Sequence, residues 1–115
     1  MTENVYWLLE LAINPDRFED FKNLMAEMVE ATQRNEAGAL DYEWTISDDR
    51  QVCHLYERYQ DSAAAMTHLE SFGANFAARF MEVLKPTRLS SPAFTSSFPH
   101  SSSFFDVRPE LLVFS

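Results

Sequence analysis

Residues 42–69 read YEWTISDDRQVCHLYERYQDSAAAMTHL. Tyr42, Trp44 and Ile46 alternate with Glu43 and Thr45, and Leu40 and Asp41 extend the pattern backwards. That is the period-two signature of a strand with one buried face. Residues 47–51 are all polar and suit a turn, and Val52–Tyr59 is a second β-prone run, so the two runs predict a hairpin. Asp61 or Ser62 stands where a helix cap belongs, ahead of AAAMTHLESF. Strand parity sets Cys53, Leu55, Glu57 and Tyr59 on one face and His54, Tyr56 and Arg58 on the other. Helix phase places His68 on the same side as Ala65, Leu69 and Phe72.

Upstream, VYWLLELAI (residues 5–13) is a strand whose two faces are both apolar except at Glu10, so it needs cover on both sides. Asn14 can cap a helix and Pro15 suits its first turn, with Asp16, Glu19 and Asp20 at the positive end. Phe18, Phe21, Met25, Met28 and Thr32 recur at helical spacing, flanked by Leu24 and Val29, and predict an amphipathic helix of about five turns. Gly38 ends the connection after it. Downstream, Gly73 is expected to break the helix carrying His68, residues 74–84 to form another, Pro86 to stop that one, and residues 87–89 to be extended. The order β-α-β-β-α-(α)-β predicts an α+β, ferredoxin-like sheet with helices on one face. The second apolar face of the first strand is then expected to be covered by the sheet of a partner chain, making a homodimer.

A chain of 115 residues with 46% hydrophobic residues is one domain with a modest core. Residues 1–89 carry the fold. Residues 90–115 form a separate tail rich in Ser, Phe and Pro, expected to dock on the core or on a partner subunit. Pro92 cannot donate to a ladder, so a strand there is expected to be short, displaced or at an edge. The net charge of −9 argues against nucleic acid and anionic membranes as partners. The single cysteine, Cys53, excludes an internal disulfide framework and reads as a small core residue. The N-terminus lacks a basic leader and a long apolar run, so the expected location is cytoplasmic. With Gly38 and Gly73 as the two glycines, no phosphate loop or dinucleotide fingerprint is possible.

The segments EAGALDYEW (36–44), YERYQDSAA (56–64), THL (67–69) and KPTR (85–88) resemble the antibiotic biosynthesis monooxygenase family over roughly residues 4–89. The resemblance implies a dimeric α+β barrel and, in the quinol monooxygenase subgroup, oxidation of a small aromatic by O₂ without cofactor or metal. It also implies a histidine facing the pocket at the position of His68. The departure is at the end, where family members continue KPTR into a hydrophobic strand and this chain reads SSPAFTSSFP.

His68 is either a satisfied, half-buried histidine or a general base near its ordinary pKa, and the resemblance favours the base. Tyr59 or Tyr42 is the expected hydrogen-bond donor to the substrate. Trp44 is the expected stacking wall, with Phe72 and Phe21 as further pocket residues. Glu57 is either a second candidate base or the partner of Arg58, Arg79 or Arg88. Glu10 is expected to be structurally paired. His54 and His100 are isolated, so no metal is expected, and Met25, Met28, Met66 and Met81 read as core filling. Two alternatives stay open: a non-catalytic binding protein with the same pocket, and a haem-degrading or isomerase relative. Similar haem-degrading enzymes carry an asparagine in the first strand, and VYWLLELAI has none.

Overall fold

The computed structural model describes residues 4–91 together with the strand backbones of residues 95–97 and 109–114. The elements are β1 (Val5–Ile13), α1 (Phe18–Asn35), β2 (Ala39–Ser47), β3 (Val52–Tyr59), α2 (Ser62–Asn75), α3 (Ala77–Val83), β4 (Leu84–Ser90), β5 (Thr95–Ser97) and β6 (Pro109–Phe114). The sheet order is β5-β4-β1-β3-β2-β6, with every neighbouring pair antiparallel. Its inner four strands run 4-1-3-2, the ferredoxin-like arrangement expected from the sequence.

Asn14 caps as expected, its carboxamide oxygen accepting from the Asp16 backbone N–H at 3.0 Å. The turn that it opens is tighter than α: residues Pro15–Arg17 are 3₁₀ and lead into α1. Phe21, Leu24, Met25, Met28 and Thr32 of α1 are buried, which is the predicted face. They lie over Tyr42, Trp44 and Ile46 of β2 and Cys53 and Leu55 of β3 in a single core. Gly38 is needed for close approach, because a Cβ there would stand 2.6 Å from the Ala64 Cβ.

Several expectations are corrected. Gly73 does not break α2, which continues to Asn75. A Cβ at Gly73 would meet nothing within 4 Å. An exposed glycine costs only about 1 kcal/mol in a helix, too little to end it. The break comes at Phe76, whose N–H still bonds to the Phe72 carbonyl. α3 ends at Val83, ahead of Pro86 as expected, and Pro86 itself lies inside β4 opposite Leu11. A proline disfavours helical geometry in the residue before it, so the chain is already extended at Leu84 and Lys85. Met66 and Met81 are exposed, unlike Met25 and Met28.

Beside Pro86 the register between β1 and β4 shifts, with Glu10 opposite Arg88 and Leu11 opposite Pro86. Thr87 is the extra residue of this bulge, and its hydroxyl donates to the Glu10 carboxylate at 2.6 Å and to the Glu10 carbonyl at 3.1 Å. His54 Nε2 lies 3.4 Å from the other Glu10 oxygen. The buried Glu10 is therefore structurally paired, as its position demands. Cys53 is wholly buried, and burial pushes its thiol pKa up, as befits an inert core residue.

In the tail, β5 is short and pairs with β4 at one edge of the sheet, while β6 pairs with β2 at the other. Pro92 and His100 lie outside the described residues. Among the described residues no helix is long and apolar enough to cross a membrane.

Candidate functional site

The helix-facing side of the sheet has two halves. Under α1 it is packed shut. Under α2 and α3 it opens into a cavity of about 630 Å³. Val5, Trp7 and Leu9 of β1 form its floor with Leu55 and Glu57 of β3 and Pro86 and Leu89 of β4. Leu69, Phe72, Phe80 and Met81 come from the two helices, and Phe72 and Phe80 meet edge to face with centroids 5.0 Å apart. The lining residues are apolar apart from His68, Glu57, Asn4, Ser91 and Tyr6.

His68 reaches this wall because Asp61 fixes the start of α2. The Asp61 carboxylate accepts from the Ala64 N–H at 2.9 Å. Ala65 and His68 are the buried residues of the helix, with Phe72 packed against the core one turn on, whereas Leu69 is 45% exposed at the cavity rim.

The imidazole is held from both sides. Nδ1 lies 2.9 and 3.2 Å from the two oxygens of Glu36, and Nε2 lies 3.1 Å from Glu57 Oε1. A carboxylate beside each ring nitrogen favours the imidazolium. Burial works to lower the His68 pKa, but the hydrogen bonds and charges of Glu36 and Glu57 outweigh it and raise the value to about 9. His68 is thus a cation at neutral pH, and the expectation of a free base near its ordinary pKa is not met.

Glu57 is the shared acceptor. Tyr59 donates its hydroxyl to Glu57 Oε1 at 2.5 Å, on the same oxygen as His68. Burial, then the Glu57 charge and this hydrogen bond, push the Tyr59 pKa far up, so Tyr59 stays a donor. Among the described residues Glu57 meets Tyr59 and His68. Arg58 bonds to Asp41, and Arg79 makes a two-pronged pair with Glu27 at 2.7 and 2.9 Å.

Of the residues singled out from sequence, His68, Glu57 and Phe72 line the cavity. Tyr59 lies just behind it, its ring 5.4 Å from Trp7 and 5.2 Å from His68. Trp44, Tyr42 and Phe21 do not line it: all three are completely buried, Trp44 and Phe21 under α1 and Tyr42 with its ring 5.4 Å from His68. Trp44 pairs with Leu55 in register and packs on Phe21 at 6.1 Å. The Tyr42 hydroxyl is engaged by Trp44 and Thr32, and burial followed by the Glu57 charge pushes its pKa up. Trp7 takes the wall position expected of Trp44, directly opposite Glu57 in the β1–β3 register. Trp7 and Glu36 were missed. The parity of β1 already put Trp7 on one face with Leu9 and Leu11, but Glu36 gives no sequence signal of its pairing with His68.

Comparison with known proteins places this geometry among relatives. The family model for antibiotic biosynthesis monooxygenases matches residues 5–78. The solved structure of MupZ from Pseudomonas fluorescens superposes with a TM-score of 0.67 at 22% identity, covering 76% of this chain and 69% of that one. A Caulobacter crescentus protein named for the same monooxygenase family gives 0.68 at 20% identity, covering 78% and 88%. Rv0793 from Mycobacterium tuberculosis gives 0.65 at 24% identity, covering 88% and 100%. At these identities the superpositions speak for the fold. Among curated proteins, none matches the chain significantly.

Proposed function

The chain belongs to the antibiotic biosynthesis monooxygenase family, and we propose that it is a cofactor-independent monooxygenase that oxidises a small hydroxylated aromatic, such as a quinol or polyketide phenol, with O₂. One observation carries this: the Glu57 carboxylate, gripped by Tyr59 and the His68 imidazolium, stands in the wall of an otherwise apolar cavity large enough for a multi-ring molecule.

The chemistry runs as follows. The substrate O–H donates to Glu57, which takes the proton as the phenolate forms. The His68 imidazolium beside it then stabilises the new oxyanion, and the dry wall strengthens that interaction. The electron-rich anion passes one electron to O₂, giving an aryloxyl radical and superoxide. The two combine at a ring carbon bearing hydrogen, forming a C–O bond, and the proton held by Glu57 completes a hydroperoxide. Loss of water from that carbon leaves a quinone carbonyl. One O₂ is consumed, one oxygen atom stays in the product and the other leaves as water. Glu36 keeps the imidazole charged and Trp7 stacks on the ring system.

Oxygen uptake tests this directly. With hydroquinones and dihydroxynaphthalenes and no added cofactor, at least one compound should consume O₂ and yield a quinone that carries one added oxygen atom. Binding of these compounds without uptake by any of them would make the protein a binding module instead.

The active form in this proposal is a homodimer closed over the open face of the sheet. The support is Tyr6, 41% exposed there although its ring contacts Tyr56 at 6.3 Å, and the apolar Leu8 beside it on β1. Light scattering at micromolar concentration should give twice the chain mass, and a monomer mass would end the idea.

A further inference from the structure

The charges around the cavity add in one direction. His68 brings one positive charge, and it is shared between Glu57 at 3.1 Å and Glu36 at 2.9 Å. Counted formally, two carboxylates and one imidazolium leave the cluster one negative charge. Its side chains are 5–8% exposed, so water and salt screen it weakly. Among the described residues no lysine or arginine lines the cavity to balance it. Asn4, Tyr6 and Ser91, the other polar residues of the lining, are uncharged, and the arginine that Asn4 touches, Arg58, is committed to Asp41. The whole chain is acidic as well, with a formal net charge of −9 when histidines are counted neutral and these glutamates are included.

From this we propose that the cavity selects hydroxylated apolar molecules that carry no charge of their own, and rejects the carboxylated, sulfated or phosphorylated forms of the same skeleton. The inference rests on the cavity being the substrate site, as proposed above. A neutral ligand brings its own proton. Its O–H donates to Glu57, and when it ionises the proton stays on Glu57, so the summed charge of ligand and cluster does not change. A ligand that carries a separate anionic group keeps that charge whatever its O–H does, and the charge adds to that of Glu57 inside an apolar wall. The anion that the site stabilises is thus one made in place.

Three naphthalenes of one skeleton test this at pH 7, with binding followed by quenching of tryptophan fluorescence: 2-naphthol, 6-hydroxy-2-naphthoic acid and its carboxamide. The naphthol and the carboxamide should bind, and the acid should bind roughly tenfold more weakly or worse. Acid and carboxamide differ in charge and hardly in size, so this comparison needs no variant. In Glu57→Gln, where the cluster becomes neutral, the acid should come within about threefold of the carboxamide. Equal binding of acid and carboxamide to the native protein would overturn the charge selection and leave the cavity reading intact. Rejection of both in favour of naphthol would overturn it too, since bulk would then decide. If none of the three binds, the cavity is not a hydroxyarene site and the proposed function falls with the inference.

Discussion

Replacing Glu57 by Gln should cut the oxidation rate by about two orders of magnitude or more, the usual contribution of a positioned base. Gln fills the same space and its carbonyl can still accept from Tyr59, so the cavity keeps its shape. His68 stays fixed by its two contacts to Glu36 at 2.9 and 3.2 Å. What is lost is the group that takes the proton. Because a neutral hydroxyarene still fits, the loss should fall on kcat and leave KM within a few-fold. Steady-state oxygen uptake by Glu57→Gln and His68→Gln separates the roles of the two residues. If Glu57→Gln keeps the native rate while His68→Gln loses it, the histidine is the base after all. If both keep it, the cluster has no part in the chemistry.

Much of this site was legible in the sequence, down to the face on which each residue lies. Period-two alternation sorted Glu57 and Tyr59 from Tyr56 and Arg58, and the structure brings Glu57 and Tyr59 together at 2.5 Å. Helix phase from the Asp61 cap turned His68 inward. Parity, however, says which face and not which half of the face. Trp44 and Trp7 point to the same side of one sheet. Trp44 falls under α1, where Phe21 fills the space, and Trp7 falls under α2 and α3, where the space is open. That lateral position depends on strand order and register, which pair Trp44 with Leu55 and Trp7 with Glu57. The choice of partner for Glu57 was hidden for a related reason. A carboxylate in an apolar strand demands a cationic or donor partner, but composition alone cannot choose among candidates. Glu36 is the clearest case. It sits 32 residues before His68, at the end of α1 with non-helical angles. Only the Gly38–Ala64 approach, which brings the end of α1 against the start of α2, sets it beside the imidazole.

The same cluster should govern how stability depends on pH. In the folded chain His68 titrates at about 9, against an ordinary value of 6.5. A raised pKa means that the folded state holds its proton more tightly than the unfolded state does. The resulting stability is complete below about pH 6.5, declines as pH rises, and is gone above the folded value near 9. At about 1.4 kcal/mol per pKa unit the effect is on the order of 3 kcal/mol. The side chain is only 7% exposed, so solvent takes little from it. Substitution should cost as much by another route. His68→Ala leaves Glu36 and Glu57 buried without the cation between them, and breaking a buried pair in this way costs about 3–5 kcal/mol. Urea denaturation at pH 6 and at pH 9.5 checks both expectations. The native protein should lose about 3 kcal/mol between the two conditions. His68→Gln, which has no proton to lose, should start lower and change much less. Parallel curves for the two proteins would mean that His68 is not an imidazolium clamped between carboxylates. The bridging charge, on which both the fold of this corner and its chemistry depend, would then have to be abandoned.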